Sequence, residues 1–398
     1  MKKSLLIVSH AMELGGAERS LIGLLDALDP SQWDVDLFLL RHEGELLNAI
    51  PPHVNLLPAV SAYTVPARPM AETLKEGHLL LTAARLAGRI AAGRYAKKHS
   101  HKDSGVGLEY SHKYTCPLMP AIQPKKQYDL AISYLTPHYY VAKKVRAKKK
   151  LAWIHTDYRQ IQINRKSESK MWAAYDRIIS ISEAVSKGFT TVFPELKDKL
   201  FYFENILPGR LIQQQAEEVV CDFSGEADES VLLSVGRFCK AKNFDNVPEI
   251  CSLLLREGLK VKWYLIGFGG DESLIRQKIT EMSMEEHVIL LGKKANPYPY
   301  IKRCDLYVQP SRYEGKAVTV LEAQMLAKPV VITRYATSAS QLEEGVDGMI
   351  APLDNANCAK SIAMLLRSPE RMEQLSRNCR ERDYSNSSQV YKLAELIE

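Results

Sequence analysis

No Cys-x-x-Cys pair occurs in this chain, and no cysteine and histidine spacing of the zinc-site kind. The seven cysteines (Cys116, Cys221, Cys239, Cys251, Cys304, Cys358 and Cys379) are scattered and odd in number. That argues against a disulfide framework and predicts reduced thiols, some of them buried as small apolar residues. An uninterrupted apolar run of about 18 residues is also missing, so no transmembrane helix is expected. The opening MKKSLLIVSH combines two lysines with an apolar run too short for a signal peptide and without a small-residue cleavage site. It reads as a first buried strand, and a cytoplasmic protein is expected. A complete Gly-x-Gly-x-x-Gly fingerprint is absent, which argues against a nicotinamide dehydrogenase. There is no internal repeat, low-complexity tract or nucleic-acid recognition motif, and no nucleic-acid partner is expected.

What is present is globular: 46% hydrophobic and 25% charged residues over 398 positions, enough for two domains with a core each. Charge is uneven. Residues 1–205 hold 29 Lys+Arg against 20 Asp+Glu, leaving 24 against 27 for the rest. A basic front half suits an anionic surface, either nucleic acid or a membrane.

Short continuous apolar runs alternate with helix-length segments. In the first half they are 4–9, 35–40, 128–135, 151–155, 177–182 and 200–204; in the second, 231–236, 261–267, 288–292, 305–310, 329–333 and 349–352. Continuous rather than alternating runs indicate strands covered on both faces, hence parallel sheets with right-handed crossovers. Two such series predict an α/β chain of two Rossmann-like domains, 1–207 and 208–375, with a terminal helix over 376–398 returning to the first. Residues 60–127 break the pattern with a Pro-rich turn and a basic helix. There Leu79, Ala83, Leu86 and Ile90 share one helical face. That helix either lies on a membrane interface or covers the sheet with its basic side solvated. The stretch 143–150, KKVRAKKK, suits anionic lipid or a solvated helix face equally.

Four motifs carry candidate chemistry. Gly15 and Gly16 open a helix directly after the first strand, where backbone N–H groups can meet a phosphate. Arg237 and Lys242 flank a turn after the first strand of the second half, a fork and a point charge for one diphosphate. Gly267-Phe-Gly-Gly270-Asp-Glu reads as a tight turn with acidic capping residues. The most specific stretch runs from Pro310 to Ala323, with Glu314 in a loop and Glu322 one to two turns into the next helix. Glu314 can stand beside a sugar ring, the amides of Gly315, Lys316, Ala317, Val318 and Thr319 can hold a phosphate, and Glu322 can accept two ribose hydroxyls.

This stretch, with Ser234–Lys242 and Gly15–Glu18, resembles the retaining GT-B glycosyltransferase family 4, the glycosyl transferases group 1 domain. The likeness is strong over about 231–353 and slighter in the first half. It implies a GT-B fold, two Rossmann-like domains facing each other across a cleft, and transfer from a nucleotide-sugar without metal or cofactor. The donor is a UDP-sugar by family weight, and the acceptor a glycan or lipid-linked glycan at the inner face of a membrane. Arg237 and Lys242 would hold the diphosphate, Glu322 the ribose, and Glu314 the transferred sugar. His155, closing a first-half strand, stands where the family often has a histidine near the sugar, and Asp157 would orient it or touch the acceptor. Asn296 and Tyr298 are expected at the base. Lys316 and Ala317 stand where many members have an apolar residue and proline, and Ala327 where glycine is frequent. A GT-B nucleotide-sugar epimerase, distinguished by turnover without acceptor, and a non-enzymatic anionic-polymer binder are the alternatives.

Overall fold

Every apolar run expected to be a strand is one. The computed structural model describes residues 2–13, 15–101, 105–156, 158–226, 228–314 and 317–397, without the side chains of Gln160 and Ala184. The chain divides into two compact units, Met1–Pro208 with Asn386–Glu398, and Gly209–Ser385.

The first unit holds β1 (Lys3–Ser9), β2 (Trp33–Leu39), β3 (Asn55–Leu56), β4 (Tyr128–Ser133), β5 (Ala147–Ile154), β6 (Arg177–Ser180) and β7 (Leu200–Tyr202). They form one parallel sheet in the order β3-β2-β1-β4-β5-β6-β7. Only β3 is new, being two residues long and too short to show a periodicity. The second unit holds β8 (Ser230–Val235), β9 (Val261–Ile266), β10 (Val288–Gly292), β11 (Leu306–Gln309), β12 (Val330–Thr333) and β13 (Met349–Ala351). Their order is β10-β9-β8-β11-β12-β13, again all parallel. Helices cover both faces, which is why the central strands are apolar along their length. Trp172, Tyr128 and Phe189 anchor the core on one face of the first sheet, Trp153 packs with Tyr134 and Phe203, and Trp263, Phe238 and Ile250 anchor the core of the second unit.

Polar side chains brace the middle of the second sheet. Trp263 donates its indole N–H to Ser234 Oγ at 3.0 Å, and Ser234 donates onward to the Val308 carbonyl at 2.6 Å. The brace ties β9 to β8 and β11, so it positions the carboxyl ends of the strands that carry the candidate site.

Three expectations are corrected. The tail is not one helix over 376–398. A helix runs from Pro369 to Arg380 in the second unit; Asn386 then adopts a left-handed backbone (φ 60°), and short turns Ser387–Tyr391 and Lys392–Glu395 follow with the first unit. The basic stretch 143–150 is not a helix face. Lys143 and Lys144 end the helix Tyr139–Lys144, and Ala147–Lys150 begin β5, where Lys148 pairs with Asp129 at 2.7 Å. Finally, the Leu79–Lys98 helix does not turn its leucine stripe to the sheet. It buries Leu81, Thr82, Gly88 and Ala92, chiefly against the helix Val106–Thr115. At Gly88 a Cβ would stand 2.8 Å from the Tyr110 carbonyl oxygen, so this close crossing depends on glycine.

Candidate functional site

In the second unit, chain order reverses between β8 and β11. Open parallel sheets bind ligands outside the carboxyl ends of their strands at such a point. The loop leaving β8 carries Arg237 and Lys242; the loop leaving β11 carries Ser311, Arg312 and Glu314. Arg312 laces the two together. Its guanidinium makes paired bonds of 2.8 and 2.8 Å to Asp245 and a third, 2.7 Å, to the Lys240 carbonyl, while its backbone N–H meets the Ala241 carbonyl at 2.8 Å. Burial pushes the Asp245 carboxyl up, but the Arg312 hydrogen bonds and charge outweigh it and hold it below its ordinary range.

Within this frame Lys242 Nζ meets Glu314 Oε1 at 2.6 Å, both side chains largely buried. Ser311 Oγ donates to the same oxygen at 2.6 Å and receives the Gln309 amide at 2.9 Å. Thr337 Oγ1 donates to the Glu314 carbonyl at 2.8 Å. The buried Tyr335 hydroxyl has no hydrogen-bond partner; its pKa is raised by burial first and then by the Glu314 charge. Glu314 is therefore fixed from several directions. Arg237 by contrast is exposed and makes no ion pair among the described residues. The two cations expected to act alike are different: one is tied into the site and one is open.

The helix Val318–Met325 follows. Ala317 at its N-cap is extended and supplies no side-chain cap, and no acidic residue lies in the first turn. Val320 N–H is bonded to the Ala317 carbonyl at 3.1 Å, which leaves the amides of Val318 and Thr319 as those this helix end can offer to an anion. Ala317 does not contribute as expected, because its own N–H is bonded to Gln341 Oε1 at 2.7 Å. Thr319 Oγ1 donates to Gln309 at 3.2 Å. Gly315 and Lys316 lie outside the described residues.

Glu322 is 3% exposed and accepts the Tyr298 hydroxyl at 2.9 Å. Tyr298 is itself buried, and Asn296 uses both ends of its amide internally, toward the Gln215 carbonyl at 2.9 Å and the Tyr298 N–H at 3.1 Å. Neither presents an open base-reading group; Tyr298 orients Glu322 instead. The Gly267 turn has a packing reason. A Cβ at Gly267 would stand 1.8 Å from the Gly236 carbonyl oxygen, and one at Gly269 2.2 Å from that of Phe238. Its glycines let this loop pass against the loop of Arg237, and Asp271 makes no side-chain cap.

The remaining candidates lie in the first unit. Gly15 is the N-cap of the helix Gly16–Ala27. The Glu18 carboxylate folds back so closely that a Cβ on Gly15 would stand 2.1 Å from it, whereas a Cβ on Gly16 would meet nothing within 4 Å. His155 follows β5, with its Nε2 buried and unpartnered and its ring 4.7 Å from that of Tyr134. Burial pushes its pKa down to about 4, against a raising hydrogen bond at the Tyr134 backbone, so the imidazole is neutral at pH 7. Asp157 lies outside the described residues.

Sequence reasoning missed Gln309, Ser311, Arg312, Asp245, Thr337 and Gln341. Ser311 and Arg312 sit inside the Pro310–Ala323 motif and Asp245 directly after Lys242-Asn-Phe, but nothing in the sequence marks Thr337 or Gln341.

Residues 222–382 match the family model of glycosyl transferases group 1. Among curated relatives, the amylovoran biosynthesis glycosyltransferase AmsK of Erwinia amylovora is 29% identical over 149 residues, 35% of this chain and 36% of that protein. An N-acetylgalactosaminyltransferase of Campylobacter jejuni acting on a diphospho-undecaprenol glycan is 31% identical over 134 residues, 32% and 35% of the two chains. The match spans about a third of the length of these relatives. Two solved structures share the fold over the whole length. A variant of S. aureus TarM in complex with fondaparinux, α-GlcNAc-glycerol and UDP has a TM-score of 0.63 at 14% identity, covering 100% of both chains. Anabaena HepE with UDP and glucose has 0.59 at 16%, covering 99% of this chain and 98% of that one. The fold is thus the two-Rossmann α/β architecture of GT-B glycosyltransferases.

Proposed function

We propose that this chain, whose residues 222–382 match the glycosyl transferases group 1 family, is a retaining, metal-independent glycosyltransferase. It moves a sugar from a UDP-sugar onto an envelope polysaccharide, lipopolysaccharide or glycolipid acceptor. The observation that carries the reading is the fixed Lys242–Glu314 pair beside an uncapped helix N-terminus and an exposed arginine, at the switch point of a parallel sheet. UDP in the TarM and HepE structures supports the choice of nucleotide, and the glycan-building relatives support the acceptor class.

In this scheme the diphosphate lies between Arg237, Lys242 and the amides of Val318 and Thr319. Lys242 has three N–H donors and can meet a phosphate while still holding Glu314. As the glycosidic bond to the diphosphate breaks, these positive groups stabilise the negative charge that develops on the departing UDP, which is the role a metal has in other transferases. The acceptor hydroxyl attacks from the face that UDP leaves and gives its proton to the departing phosphate oxygen, which retains the anomeric configuration. Glu314 stands by the sugar and Glu322 binds the ribose; His155, in the first unit, is neutral at pH 7 and can act as a hydrogen-bonding group but not as a cation.

The test is calorimetric titration with UDP, GDP and NAD in EDTA, repeated with Arg237→Ala. UDP binding that is weakened in the variant supports the scheme. A preference for GDP would change the donor, and a folded protein that binds none of the three would overturn it.

A further inference from the structure

The Leu79–Lys98 helix carries an apolar stripe that no other described residue covers. Leu79 is 62% exposed, Leu80 74%, Leu86 47% and Ile90 48%, with Ala83 and Ala87 exposed between them. At 100° per residue these side chains fall on the side opposite Leu81, Gly88 and Ala92, which pack on the neighbouring helix. Stripes of large exposed side chains on a soluble surface mark contact sites.

Charge tells what the contact is. The helix has no Asp or Glu in twenty residues. Of its five cations, Arg85 turns inward to the backbone carbonyls of Val65 and Arg68. The other four, Arg89, Arg94, Lys97 and Lys98, are exposed and make no ion pair among the described residues. Three of them lie in the last two turns, directly beyond Ile90. The surface is therefore apolar for three turns and then basic. No described helix is long and apolar enough to cross a membrane. The leucines and, beyond them along the axis, the cations share one side of the helix, so a single surface offers an acyl-facing stretch beside groups that can meet lipid phosphates. A second copy of the chain fits poorly. The stripe is about 18 Å long and about 10 Å wide, roughly 180 Å², against about 800 Å² per partner in a stable dimer.

We infer that the outer face of the Leu79–Lys98 helix seats the first unit on an anionic lipid bilayer, with Leu79, Leu80, Leu86 and Ile90 entering the acyl boundary and Arg94, Lys97 and Lys98 meeting lipid phosphates. The inference is independent of the sugar chemistry, because seating is read without donor or acceptor.

The experiment is flotation of the full chain with vesicles of phosphatidylcholine alone, or with roughly a third phosphatidylglycerol, the anionic component. Wild type floats with the anionic vesicles, with a partition coefficient about tenfold or more above the neutral ones. Leu80→Glu/Ile90→Glu lowers that partition about tenfold or more, with unchanged circular dichroism and Tm because both positions are already in water. Lys97→Glu/Lys98→Glu removes the preference for anionic lipid. No flotation of wild type, or equal flotation of the Leu80→Glu/Ile90→Glu variant, overturns the inference. So does a wild-type dimer in light scattering that this variant dissolves while vesicles stay unbound, since the occupant is then a second copy.

Discussion

Lys242 and Glu314, 72 positions apart, meet at 2.6 Å where the ends of β8 and β11 converge. The pair makes one cation of the site a structural member and leaves Arg237 as the open one. Substitutions at the two should therefore separate. Arg237→Ala weakens UDP binding about tenfold or more, at unchanged Tm. Lys242→Met weakens binding too, but also destabilises the second unit by about 1–3 kcal/mol, because it strands a largely buried carboxylate. Glu314→Gln keeps the hydrogen-bonding shape and lowers turnover about 100-fold. Equal Tm for the two cation variants, or full turnover in Glu314→Gln, would remove the pair from the argument.

Arg312 holds Asp245 through two parallel bonds, a geometry that lysine cannot reproduce. Arg312→Lys should cost about 1 kcal/mol and lower turnover, because the loop of Glu314 loosens from the loop of Lys242. Steady-state kinetics and thermal melts check this together. A variant with wild-type kinetics would mean that the lacing of the loops does not matter to the site.

Ala327 has φ +54°, directly after the helix Val318–Met325. The bonds from Ala327 N–H to the Gln324 carbonyl and from Lys328 N–H to the Ala323 carbonyl are those of a Schellman cap, whose left-handed position favours glycine. Ala327→Gly should stabilise the second unit by about 1 kcal/mol, read as a higher midpoint in urea. A lower midpoint would show that the methyl group packs better than it strains.

The first unit should lose stability on mild acidification. Burial pushes His10 and His155 down to about 4, and His112 and His138 well below their ordinary range. In the unfolded chain each takes a proton near pH 6.5 that the folded protein refuses, so stability falls as pH drops from about 6.5 toward 4. Glu168 acts the other way. Burial raises it to about 7, so its effect reduces stability as pH rises through about 4.5 to 7. Glu18, also raised by burial, acts in the same direction as Glu168, so four groups stand against two and the net is a loss. The first unit's thermal transition at pH 5.5 should lie several degrees below that at pH 7.5, on the order of 5 °C. A transition that stays put or rises would contradict the burial of these imidazoles.

The sequence by itself determined the two parallel sheets, because strands buried on both faces must be apolar throughout. It also determined the stretch around Glu314, because a loop, a glycine and two spaced glutamates lie within one continuous segment. Periodicity likewise placed Leu79, Leu86 and Ile90 on a single helical face. Only the tertiary structure decided which way that face points, because an apolar stripe signals burial without naming what covers it; here the helix packs through Gly88 and Ala92 and leaves the leucines outside. Tertiary structure also decided that Lys242 is tied and Arg237 open, that Tyr298 and Asn296 turn inward, and that the Gly267 loop serves packing. Each of these depends on a partner dozens of residues away, and spacing along a chain carries no information about which distant atoms a sheet will bring within 3 Å.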